Sequence, residues 1–148
     1  MPPHPPQSLP MFFFGTLMDE EVLAAVLGRT ADPALMEPAR LGGWRRTNIA
    51  GRTYPMLIPH PTGAVEGLLV RGLDERDCRR LDHYEGPEYR VGCLMVRRRD
   101  GTEAMAESYL CPPGVTGGRE EWRLETWRLR HKRAALTRIR ALMAGWRD

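Results

Sequence analysis

Between residues 11 and 110 the apolar residues of this chain come in short runs cut by glycine and proline. Only beyond Gly118 does a long helical period set in. Short runs of this kind read as strands, and here they outnumber the helical segments without alternating regularly with them. The pattern is that of an α+β domain: a small mixed or antiparallel sheet curling into a β-barrel, flanking helices, and a long C-terminal amphipathic helix. A length of 148 residues suits a single core.

The boundaries follow from punctuation. Residues 1–10, with Pro2, Pro3, Pro5 and Pro6, carry neither a basic nor an apolar leader pattern and read as a disordered, extended tail. Residues 11–118 form the expected barrel domain, and residues 119–148 a C-terminal helix packed on that domain or on a partner subunit. Met11 to Leu17 reads as a buried strand ending in a turn at Gly15. Asp19 is placed to cap a short helix with Glu20 and Glu21 in its first turn, and Gly28 to stop it. Pro38, Gly42, Gly43, Gly51 and Pro55 break the next stretch, leaving short strands over 39–44 and 54–58, then another over 64–70. Asp74 opens a second helix that runs through Leu81 and ends before Gly86-Pro87. Asp100-Gly101 joins two strand-like runs as a hairpin, and Pro112 to Gly118 read as a loop. Leu124, Trp127, His131, Ala135, Ile139, Leu142 and Trp146 then recur every three or four residues, which defines the C-terminal helix.

Composition narrows the functional classes. No apolar run approaches the ~18 residues that a membrane-spanning helix needs. Cys78, Cys93 and Cys111 are odd in number and lack paired spacing, which argues against a disulfide framework and a structural zinc site and for a reducing, cytoplasmic compartment. Cys78 and Cys93 fall in apolar patterns and are expected as core thiols. From Arg119 onward nine Lys/Arg face four Asp/Glu, so the excess positive charge belongs to the C-terminal segment.

Two segments stand out as chemistry-bearing. Gly15-Thr16-Leu17 follows a buried strand and precedes a helix, so its N–H groups could form an anion nest for a substrate carboxylate or an oxyanion. The absence of a Cβ at Gly15 would let a ligand approach the main chain. Glu85 lies at the end of a helix, where the helix dipole disfavours an acid, and so invites a functional reading.

Phe14-Gly15-Thr16-Leu17, Tyr54-Pro55-Met56-Leu57, Val65-Glu66-Gly67-Leu68-Leu69, Leu81-Asp82-His83-Tyr84-Glu85-Gly86 and Tyr89, in this order, resemble the gamma-glutamylcyclotransferase-like (AIG2-like) family. The resemblance spans about residues 11–110. It implies a small β-barrel with flanking helices that releases 5-oxoproline from gamma-glutamyl amides, with no cofactor and no metal. It implies Glu85 as the catalytic carboxylate. The turn at Phe14, Gly15, Thr16 and Leu17 would hold the glutamyl moiety, with Tyr54 and Tyr89 as candidate pocket-lining residues. Two departures are evident: many members carry Tyr where this chain has Phe14, and Tyr89-Arg90 are adjacent where the family often has Tyr-x-Arg.

The chemistry agrees with the residues. In cyclotransfer the substrate's own α-amine attacks its γ-carbonyl, so no protein nucleophile is required, and no Ser-His-Asp or Cys-His pattern stands out here. One carboxylate can serve as base and then acid. Two other readings remain open: a binding protein using the same pocket without turnover, and, less favoured, a nucleic-acid-binding protein using Arg123, Arg128, Arg130, Lys132, Arg133, Arg138 and Arg140. The leaving-group amine and the oligomeric state are not legible in the sequence. Glu66 and His83 are expected to be exposed and structural.

Overall fold

The computed structural model describes residues 9–87, 89–111 and 114–147, so most of the Pro-rich tail and Pro112 and Pro113 lie outside the described residues. Six strands and four α-helices follow in the order β1 (Met11–Phe13), α1 (Glu20–Leu27), β2 (Met36–Ile49), β3 (Pro55–Val70), α2 (Glu75–Glu85), β4 (Arg90–Arg98), β5 (Glu103–Leu110), β6 (Gly117–Glu121), α3 (Leu124–Arg130) and α4 (Lys132–Ala144). Strands β1, β3, β2, β4 and β5 pair in a closed ring, and β6 adds to the far end of β2. Every pairing is antiparallel except β1 with β5, where Met11 faces Glu107. The expected α+β barrel is the fold observed.

β1 illustrates how the period of two builds two cores. Phe12 and Phe14 point into the barrel with Ala39, Leu41, Val65, Leu69, Val96 and Ala106. Met11 and Phe13 point the other way, into a layer formed by α1, α4, Leu81, Trp122 and Trp127. Gly67 allows this packing, because a Cβ there would lie 2.4 Å from the Phe12 ring.

The helices are anchored by buried acids. Asp19 caps α1 by accepting from the N–H groups of Glu21 and Val22 at 3.0 and 3.1 Å. Its other oxygen receives Arg128 Nε at 2.8 Å and Lys132 Nζ at 3.0 Å, tying α3 and the start of α4 to α1. Burial by itself would raise the Asp19 pKa, but the bonds from Arg128, Lys132 and Val22 outweigh it and hold the carboxyl below its usual value. Asp74 and Asp77 form a reciprocal capping box at the start of α2, and Asp77 also receives Arg29 at 2.6 Å.

Several expectations need correction. The strands expected over 39–44, 54–58 and 64–70 are two long ones, β2 and β3. Pro38, Pro55 and Pro59 lie within their pairing, and the register shifts between Gly42 and Trp44, where residues 60–63 of β3 have no partners. Gly117 and Gly118 begin strand β6 rather than ending a loop. The C-terminal amphipathic segment is two helices, broken at His131 (φ −128°, ψ −19°), and it packs against α1 and α2 of its own chain. Cys93 is exposed and Cys78 half-buried, because alternation in β4 turns Cys93 outward together with Val91 and Met95. His83 is half-buried against the Trp146 ring, with centroids 4.9 Å apart. Glu66 is exposed, as expected, and pairs with Arg40.

Candidate active site

The break at the end of β1 creates the site. Past Phe13 the chain turns at Gly15 into a single 3₁₀ turn, Thr16–Met18, that leads directly to the Asp19 cap. Among the described residues, no backbone carbonyl accepts from the N–H groups of Gly15, Thr16 or Leu17. A Cβ at Gly15 would meet the Pro55 ring at 3.2–3.3 Å, so a larger residue there would press on the start of β3. Arg46 braces the turn from beneath. Its guanidinium donates to the carbonyls of Phe14 at 2.7 Å, Glu66 at 3.1 Å and Trp122 at 3.2 Å, and it lies over the Trp122 ring.

Opposite the turn, α2 ends at Glu85, with Gly86 (φ 85°) redirecting the chain. A cavity of about 440 Å³ lies between them. Its wall includes every candidate named from sequence: Phe14, Gly15, Thr16, Leu17, Tyr54, Tyr89 and Glu85. Thr16 Oγ1 and the Tyr84 hydroxyl are hydrogen-bonded at 2.9 Å, which couples the turn to the residue preceding Glu85. Tyr54 and Tyr89 meet edge to face with centroids 6.3 Å apart.

Among the described residues, Glu85 is the only acid in the cavity wall, and none of them donates a hydrogen bond to it or pairs with it. It is half-buried by exposure because the cavity is open, yet protein crowds the carboxylate closely. Burial, with a smaller push from the Asp82 charge one helical turn earlier, raises its pKa to about 8. Asp82 in turn accepts a hydrogen bond from the Tyr109 hydroxyl, another wall residue. Burial also raises Tyr84 to about 12, and raises Tyr89 and Tyr109 further, so all three hydroxyls stay protonated as donors.

Sequence reasoning missed the rest of the wall. Ser108 fixes β5 to β1 by donating to the Phe12 carbonyl at 2.8 Å. Tyr84, adjacent to Glu85 and half-turned toward Thr16, could have been suspected from its position alone. Trp127 on α3 and Ala135, Arg138, Ile139 and Leu142 on α4 close one side. Their spacing identified a helical face, but nothing in the sequence indicates that this face lies over the cavity. Among the described residues, no group of three or more His, Cys, Asp or Glu is placed to hold a metal.

Comparison with known proteins identifies the family and the fold. Residues 11–129 match the family described as gamma-glutamyl cyclotransferase, AIG2-like. AIG2-like protein A of Arabidopsis thaliana is 30% identical over 138 residues, covering 90% of this chain and 80% of that protein. Protein AIG2 C of the same plant is 30% identical over 143 residues, covering 93% and 83%. A solution structure of an Arabidopsis thaliana protein superimposes with a TM-score of 0.65 at 27% identity, over 97% of this chain and 86% of that one. A structure titled gamma-glutamyl cyclotransferase shares the fold, with a TM-score of 0.61 at 17% identity over 95% and 89%. From its sequence match and its barrel alike, the chain belongs to the AIG2-like gamma-glutamyl cyclotransferase family.

Proposed function

We propose that this protein releases 5-oxoproline from a small gamma-glutamyl amide by intramolecular aminolysis, with Glu85 carrying the protons. The observation that supports this most strongly is that Glu85, unpaired among the described residues and raised to about 8, lines the same cavity as Gly15, Thr16 and Leu17, whose N–H groups donate to no described carbonyl. The substrate's α-nitrogen forms a bond to its own γ-carbonyl carbon, the bond from that carbon to the distal amine breaks, and no water is consumed. The α-nitrogen gives up two protons in passing from ammonium to lactam: Glu85 carries one to the departing nitrogen, and the second leaves on the released amine as its ammonium, or to solvent where that amine is weakly basic. A carboxylate with a pKa near 8 suits both steps, since its proton affinity approaches that of an amine.

The protein's larger contribution is conformational. An extended glutamyl chain must fold until nitrogen and carbonyl carbon are in contact, and such orientation is worth roughly 7–11 kcal/mol. Phe14, Tyr54 and Tyr89 supply walls that favour a compact conformer. The turn at Gly15 to Leu17 supplies N–H donors for a substrate carboxylate or for the oxyanion of the tetrahedral intermediate.

The test is turnover. Purified protein given a panel of gamma-glutamyl amides should produce 5-oxoproline, and Glu85→Gln should reduce the rate by about 10²–10⁴-fold without moving the melting transition. Binding of these amides with no product from any of them would instead identify a binding protein.

A further inference from the structure

The positive charge of the C-terminal segment is unevenly used. Arg128 and Lys132 are engaged with Asp19, and Lys132 also with Glu21. Arg138 differs. It lies on the face of α4 that carries Ala135, Ile139 and Leu142 into the cavity wall, and among the described residues it is the only Lys or Arg in that wall. It is exposed and has no carboxylate partner among the described residues. A guanidinium in the cavity wall with no carboxylate partner among the described residues is a ready site for a substrate carboxylate, which its planar fork can grip bidentately.

We propose that Arg138 binds the α-carboxylate of the gamma-glutamyl group, so that α4 selects substrates by the amino-acid end of the reacting unit. This rests on the cyclotransferase reading above. The Tyr84 hydroxyl feels both the Arg138 charge and the Glu85 charge, with opposite effects, whereas Arg138 is not among the influences on Glu85. Arg138 and Glu85 line the same cavity, with Tyr84 also in its wall. An α-amino acid centre fits between them, its ammonium toward Glu85 and its carboxylate toward Arg138. With the carboxylate held by α4, the N–H groups of Gly15 to Leu17 are left for the γ-carbonyl oxygen, which resolves their two candidate uses in favour of the oxyanion.

The test pairs two substrates that differ only in this carboxylate. Gamma-glutamyl anilide closes to 5-oxoproline, and 4-aminobutyryl anilide closes to 2-pyrrolidinone by the same bond changes; both release neutral aniline. The wild-type protein should prefer the first in kcat/KM, and Arg138→Met should shrink that preference by about 10- to 100-fold, mainly through KM, while Arg138→Lys keeps part of it. A preference that survives in Arg138→Met overturns the assignment. So does a loss that appears only when the leaving amine carries its own carboxylate, since Arg138 would then read the leaving group. If the wild-type protein turns over neither anilide, the reaction reading fails and equilibrium binding decides the role of Arg138. Binding of 5-oxoproline at least tenfold tighter than 2-pyrrolidinone, lost in Arg138→Met, would sustain it. Equal affinities would overturn it.

Discussion

Glu85 shows how a helix end can be made to hold a proton. The cavity wall removes water, Asp82 adds a like charge one turn away, and a helix C-terminus is in general a poor place for an acid. At pH 7 a group with a pKa of about 8 is ionised in only about one molecule in ten. If the ionised form is the base, kcat/KM rises with pH and levels above about 8, and that ascending limb reports the free enzyme. Asp82→Asn removes a negative charge, lowers the Glu85 pKa, and should move the limb to lower pH while burial keeps it above that of an ordinary glutamate. A pH–rate profile of the two proteins checks this, and an unmoved limb would mean that another group sets it. The place of Glu85 at the end of α2 was legible in the sequence, because Gly86-Pro87 stops the helix there. The presence of Tyr109 and Arg138 in the same cavity wall was not, since it depends on which strands and helices meet across the barrel.

The elements that frame the cavity depend on a few buried polar contacts. Asp19 is 1% exposed and serves at once as the cap of α1 and as the anchor of α3 and α4. Asp19→Ala loses the cap and both ion pairs and should cost about 2–4 kcal/mol of stability, whereas Asp19→Asn keeps a capping oxygen and should cost less. Urea denaturation would rank the two; equal losses would mean that the cap contributes nothing beyond the ion pairs. Local signals of this kind were readable in advance: the Asp19 and Asp74 caps, the Asp100-Gly101 hairpin, and the apolar face of the C-terminal segment all depend on residues close in sequence. The lengths of β2 and β3 were not readable. Proline normally ends a ladder, but Pro38, Pro55 and Pro59 are accommodated where the long hairpin pairs irregularly or lies at its ends. The break at His131 interrupts a periodicity that continues across it, so the sequence offered no sign of two helices.

At the scale of the whole molecule, the barrel closes through contacts that no local pattern announces, above all β1 beside β5 and β2 beside β4. That closure brings a turn near the N-terminus and a helix end some seventy residues later onto one cavity. The basic C-terminal segment packs on the same body through Trp127, Ala135, Leu136, Ile139 and Met143, with Arg128 and Lys132 directed inward to Asp19. A detached phosphate-binding arm is therefore not its arrangement, and among the described residues no helix is long and apolar enough to cross a membrane. In the proposed reaction the substrate cyclises on itself instead of meeting water. Running it in ¹⁸O-labelled water and identifying the products by mass decides between the two routes. Cyclisation gives 5-oxoproline and free amine in equal amounts, with no label in either and no glutamate formed, and neither product above background with Glu85→Gln. Labelled glutamate as the product, or undiminished 5-oxoproline release by Glu85→Gln, would contradict it.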